Sequence, residues 1–256
     1  MKPLAQDRCN LKRSGIREIM EQSSQMEDVI HLEVGEPNVD TPEHIRAAAT
    51  LAMNQGFTHY TPNAGLVSLR QAIRKHLIDS YSIDVNVDQI VVTPGAVTAI
   101  AVSLLTLVEA GEEVLIPDPG WPNYEQMVIS QGAIPVRYKL DPNLNFAPNM
   151  EDLKSKVSSR TKAIITNSPG NPTGAVYSKE ITSMLIEFSS MYDLYLISDE
   201  VYDGIVFDGN HICPFSFDKE NRVISVFGFS KNYAMTGWRV GYAIAPLVIA
   251  KVMTKL

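Results

Sequence analysis

A chain of 256 residues, 45% hydrophobic and 20% charged, has room for one large domain or two small ones around a sizeable core. Its formal charge of −7, with no concentrated run of basic residues, argues against nucleic acid as a partner and reads mostly as solubility. The two cysteines, Cys9 and Cys213, suit neither a disulfide framework nor a metal-type spacing. The first residues lack the apolar core of a signal peptide, and no stretch is long enough to span a bilayer. The expectation is a cytoplasmic protein that engages no membrane.

In chain order, residues 65–81 read as a helix with Leu66, Leu69, Ile73 and Leu77 on one face. Runs rich in Val and Ile follow at 89–93, 113–116, 134–138, 162–166, 195–198, 222–227 and 239–245, each a strand candidate. Between the first six lie helical patterns, at 96–107, 123–131, 150–157 and 179–191. This alternation predicts an α/β fold with three αβα layers and a mostly parallel, seven-stranded sheet. About a dozen residues separate the last two strands, broken by Gly237, so the seventh strand is expected to run antiparallel.

The residues with chemistry to offer cluster at strand ends. Thr93-Pro94-Gly95 follows the first strand and Pro117-Asp118-Pro119-Gly120-Trp121 the second. Asn167-Ser168-Pro169-Gly170-Asn171 follows the fourth, Asp199 the fifth and Ser230-Lys231 the sixth. Open α/β sheets bind ligands outside the carboxyl ends of their strands. Lys231 could form a Schiff base if its pKa is lowered. Asp199, otherwise a plain strand-end residue, could keep a heterocyclic nitrogen protonated. Tyr202 could hydrogen-bond a phenolate oxygen, and Asn171 the same oxygen or a substrate carboxylate. Gly95, Ala96 and Val97 open a helix, where free N–H groups and the helix dipole suit a phosphate. Arg239 could clamp that phosphate bidentately, Ser230 could donate one more bond, and Trp121 could stack on a ring. Together these are the demands of pyridoxal 5'-phosphate (PLP). The five histidines, His31, His44, His59, His76 and His211, are scattered and suggest no metal site.

Asn171-Pro172-Thr173-Gly174, Asp199-Glu200-Val201-Tyr202 and Ser230-Lys231, with Gly237-Trp238-Arg239-Val240-Gly241 downstream, resemble the motifs of the aspartate aminotransferase superfamily, in order and approximate spacing. The resemblance begins around Leu32-Glu33-Val34-Gly35-Glu36-Pro37 and covers nearly the whole chain. It implies the PLP-dependent transferase fold of type I. It also implies transfer of an amino group between an amino acid and a 2-oxo acid through a Lys231 Schiff base. Asp199 would then pair with the pyridine nitrogen, and Asn171 and Tyr202 would contact the phenolate oxygen. Gly95, Ala96, Val97, Ser230 and Arg239 would hold the phosphate, with Trp121 on the ring and Gly35 near the substrate carboxylate. Tyr60 would reach the phosphate of a neighbouring subunit, which makes a homodimer the expected assembly.

Two further expectations follow from the resemblance. Residues 1–40 would form an N-terminal arm and small-domain segment, and 41–256 the PLP-binding large domain. Members of the superfamily continue past the equivalent of Leu256 into a small domain carrying an arginine for the substrate carboxylate. The chain is therefore expected to hold complete cofactor machinery with an incomplete substrate site, and to be weakly stable alone. Two alternatives use the same residues: a C–S β-lyase on the same scaffold, and a PLP-binding protein without activity.

Overall fold

The structure is a computed structural model that describes Lys2, Leu11 and residues 15–256. Cys9 and the other residues before Gly15, apart from Lys2 and Leu11, lie outside the described residues, so only the later part of the proposed 1–40 segment is described. Helices α1 (Gly15–Ser23), α2 (Glu43–Asn54) and α3 (Val67–Tyr81) precede the sheet. There follow β1 (Ile90–Thr93), α4 (Ala96–Leu107), β2 (Glu113–Asp118), α5 (Asn123–Ser130) and β3 (Ile134–Asp141). Next come β4 (Ala147–Pro148), α6 (Met150–Lys156), β5 (Thr161–Asn167), α7 (Lys179–Met191) and β6 (Tyr195–Asp199). The described chain closes with β7 (Val223–Gly228), α8 (Phe229–Asn232), β8 (Gly241–Ile244) and α9 (Leu247–Met253).

One sheet carries the fold, in the order β1-β8-β7-β6-β5-β2-β3-β4. The expected seven strands are all present. An eighth, β4, is a two-residue edge strand antiparallel to β3, so the seven-stranded expectation is corrected to eight. A run as short as Ala147-Pro148 carries no periodicity to read. β8 pairs antiparallel with both β1 and β7, as its short connection requires.

The central strands are apolar on both faces because helices cover both faces. Along β5, Ile165 joins Ile100, Leu104, Ile116 and Ile197 under α4. Its neighbour Ile164 faces the other way, with Leu115, Leu153, Phe188 and Leu196 under α6 and α7. A third cluster, Ile73, Leu77, Ile90, Phe227 and Tyr242, fixes α3 against β1, β7 and β8. Each such side chain is worth roughly 1.5–3 kcal/mol when buried, and a one-residue slip would send it to the opposite face. Register is thereby fixed. Helix starts follow ordinary capping: Ser178 accepts from the N–H of Ile181 before α7, and Asn149 from that of Asp152 before α6. Leu66, expected on the buried face of α3, instead caps its start and is exposed.

This register decides where the polar residues go. Thr93, Asp118, Asn167, Asp199 and Gly228 end their strands at one edge of the sheet, and Gly241 begins β8 there. Gly241 lies between Thr93 and Gly228, where the turn into α4 crosses so closely that a Cβ would stand 2.4 Å from the nitrogen of Ala96.

Candidate active site

Asp199 is the last residue of β6 and is 4% exposed. Burial raises its carboxyl to about 6 from an ordinary 3.8. Two donors oppose the rise: the hydroxyl of Tyr124, 2.5 Å from Oδ2, and the N–H of Val201, 3.3 Å from Oδ1. Tyr124 is itself fully buried in the first turn of α5, and Trp121 meets it edge-on with ring centroids 5.4 Å apart. Trp121 thus reaches the site's wall through Tyr124; from sequence alone Tyr124, like Glu36 and Asn38, could line a pocket or equally serve structure, and its bond to Asp199 makes it a site residue.

The chain turns after Asp199 and places Tyr202 within 3.4 Å of the Asn171 amide, a long contact. The Asn171 loop is anchored by Asn167, whose side chain reaches both Asn171 and the end of β6. Lys231 lies one turn into the four-residue helix α8 rather than in a bare loop. Its Nζ is 5.9 Å from the centre of the Tyr202 ring and donates to the carbonyl oxygen of Gly35. Burial lowers its pKa, the nearby Arg239 lowers it further, and Glu36 partly opposes them. A lysine so placed has a larger neutral, nucleophilic fraction than a surface lysine.

Arg239 precedes β8 instead of belonging to it, with φ of 57°. Its Nη1 donates to the carbonyl of Thr236 at 2.9 Å, and its other terminal nitrogen lies over Gly95. At Gly95, φ is 86° and a Cβ would stand 2.6 Å from that nitrogen. Only glycine lets the guanidinium rest against the start of α4. Ala96 and Val97 form the first turn there, where helix N–H groups lack intrahelical partners. Ser230 immediately precedes Lys231 in α8.

The segment around Gly35 is strapped to the loop after Lys231. Thr236 donates to Glu36, Thr41 donates to the carbonyl of Ala234 at 2.5 Å, and the indole of Trp238 donates to Thr41 at 3.0 Å. An open cleft of about 900 Å³ runs along this strap, walled in part by Glu33, Asn38, Thr236 and Trp238. Asp199 and Lys231 are not among its walls, so the chemistry is located by side chains rather than by this cleft. Tyr60 is fully exposed and does not enter this group.

The residues fit PLP on the arrangement of their donors. A lowered-pKa amine lies 5.9 Å from the Tyr202 ring, whose hydroxyl meets the Asn171 amide, a buried carboxyl ends β6 three residues before Tyr202, and a guanidinium stands at a helix start that a Cβ would fill. Among the described residues no group of three or more His, Cys, Asp or Glu side chains could hold a metal ion. No described helix is long and apolar enough to cross a membrane.

Comparison with known proteins identifies the family. The family described as aminotransferase class I and II matches residues 27–256. An aspartate aminotransferase of Pyrococcus horikoshii is 42% identical over 247 residues, which is 96% of this chain and 63% of that protein. A probable aspartate aminotransferase of Methanocaldococcus jannaschii is 46% identical, over 92% of this chain and 61% of that protein. The solved aspartate aminotransferase of Thermus thermophilus with maleate superposes with a TM-score of 0.94 at 35% identity. It covers 100% of this chain and 68% of its own. The chain thus spans a little over 60% of the length of these two curated relatives.

Proposed function

Since the chain belongs to the class I and II aminotransferases, whose members use PLP, we propose that it transfers an amino group between an amino acid and a 2-oxo acid, with Lys231 as its catalytic lysine. The observation that carries the proposal is a partly buried, lowered-pKa Lys231 whose Nζ lies 5.9 Å from the ring of Tyr202, three residues after the buried Asp199 that ends β6. When bound, PLP would supply an electrophilic carbonyl carbon and an electron-withdrawing ring.

The chain's own residues then have distinct tasks. The carboxylate of Asp199 would pair with a protonated ring nitrogen, and that opposite charge would offset the burial that holds it near 6. Tyr124 keeps this carboxyl oriented. Asn171 and Tyr202 would share the phenolate oxygen. Arg239, Ser230 and the N–H groups at Gly95, Ala96 and Val97 would hold the phosphate, and Trp121 would flank the ring. The Nζ of Lys231, once released from the Gly35 carbonyl, is free to take and return a proton at the substrate's α-carbon. Gly35 would lie near the substrate carboxylate.

The same reading extends to organisation. Residues 1–40 would serve as arm and small-domain segment, and 41–256 as the cofactor domain. The exposed Tyr60 would reach the phosphate of a second subunit in a homodimer, and the protein would work in the cytoplasm. The direct test is amino transfer by purified protein, supplied with PLP, an amino-acid panel and a 2-oxo acid acceptor. New amino acid formed in step with consumed donor supports the proposal. Pyruvate released from a sulfur amino acid without any acceptor would replace it with a lyase.

A further inference from the structure

We infer that Asn167 is a positioning residue that locks the Asn171 loop to the strand end bearing Asp199. This inference rests on the proposed function for its purpose, though not for its geometry. Asn167 is the last residue of β5, in register with Asp199, and is 5% exposed. Its Oδ1 accepts from the N–H of Asn171 at 2.7 Å. Its Nδ2 donates to the carbonyl of Asp199 at 3.0 Å and to that of Pro169 at 3.1 Å. One end of the amide faces an N–H and the other faces two carbonyls, so only one orientation satisfies all three bonds.

The loop it anchors is built from proline and glycine and has little other means of fixing Asn171. Within it, Gly170 bonds to Ala175, Gly174 bonds back to Gly170, and the N–H of Ser168 donates to the Asp199 carbonyl at 3.2 Å, which shapes the turn and ties its first residue to β6 but leaves Asn171 itself unheld. The contact from Asn171 to Tyr202 is only 3.4 Å, so a small drift of the loop would break it. Asn167 touches neither hydroxyl nor amine of the site. It acts through Asn171. Alanine at this position would leave the Asn171 N–H and the Pro169 carbonyl without these partners, and the Asp199 carbonyl with the Ser168 N–H alone. Aspartate, nearly isosteric, would keep the acceptor for Asn171 and lose both donors.

Two measurements on Asn167→Ala, Asn167→Asp and Asn171→Ala test this. The first is hydrogen exchange at the Asn171 amide in cofactor-free protein. Asn167→Ala should speed exchange there roughly three- to tenfold, the worth of one hydrogen bond, and Asn167→Asp should leave it slow. The second is the pH at which the absorption of bound PLP changes. Asn167→Ala should shift that midpoint by about half to one pH unit, in the same direction as Asn171→Ala. The double variant should go no further than the larger single shift. Unchanged Asn171 exchange in the alanine variant, fast exchange in the aspartate variant, or shifts that simply add would overturn the inference. If wild-type protein binds no PLP through Lys231, the proposed function fails, and the exchange result still decides the role of Asn167.

Discussion

Replacing Asp199 with asparagine isolates the cost of keeping an acid in the floor of the site. Burial holds the folded carboxyl near 6, against an ordinary 3.8. The folded pKa is raised, so folding favours the protonated form. That contribution is complete below pH 3.8 and is lost as pH rises through about 6. The gap of about two units corresponds to ~3 kcal/mol of stability forgone at neutral pH. Asparagine keeps the shape and an acceptor for Tyr124, and it does not ionise. Urea unfolding of cofactor-free protein at about pH 4.5 and 7.5 should therefore show the variant gaining ~2 kcal/mol on wild type between the two pH values. The same variant should bind PLP more weakly, because the charge that would compensate the ring is gone. Parallel stability profiles for the two proteins would refute the reasoning, since they would mean that Asp199 is not ionising at a buried site.

Three further outcomes follow from the geometry. Tyr124→Phe removes a donor that holds the Asp199 carboxyl down, so the stability loss assigned to Asp199, which sets in above pH 3.8, should continue past pH 6 and reach a larger total, readable in the same unfolding series. Gly95→Ala places a Cβ against Arg239 at a φ of 86°. It should cost about 1–3 kcal/mol in unfolding, and equilibrium dialysis should show PLP affinity falling by more than that loss explains. His211→Ala strips the fully buried Glu200 of its ring partner at 2.6 Å, an uncompensated charge that should cost about 3–5 kcal/mol in denaturant unfolding. Burial pulls the His211 pKa down, but the bond and charge of Glu200 outweigh it and leave the value raised. The wild-type contribution is thus present below pH 6.5 and fades as pH rises through the raised value.

Much of the fold could be read because its elements differ in period. The helix at 96–107 and the strand at 195–198 carry patterns strong enough to fix their ends within a residue. The antiparallel β8 followed from the short connection before it. What escaped were contacts made across long sequence distances by residues of ordinary type. Tyr124 lies 75 positions from the carboxylate it serves, and Asn167 bonds a backbone carbonyl 32 positions away. A tyrosine in a helix and an asparagine after a strand look alike whether or not they do this. The one available signal for Asn167 was an amide just after the apolar run Ala163-Ile164-Ile165 and Thr166, at the edge where Asp199 also ends its strand. Arg239 was recognisable from its motif, whereas its left-handed backbone and its seat on Gly95 depend on how β8 crosses the start of α4.

The central claim is that Lys231 is the residue to which PLP attaches. Purified protein should be mixed with PLP, treated with borohydride to make any attachment permanent, digested and mapped by mass spectrometry, beside a Lys231→Ala control. The account predicts one modified peptide, containing Lys231, and none in the control. A label spread over surface lysines, or undiminished in the control, would contradict it.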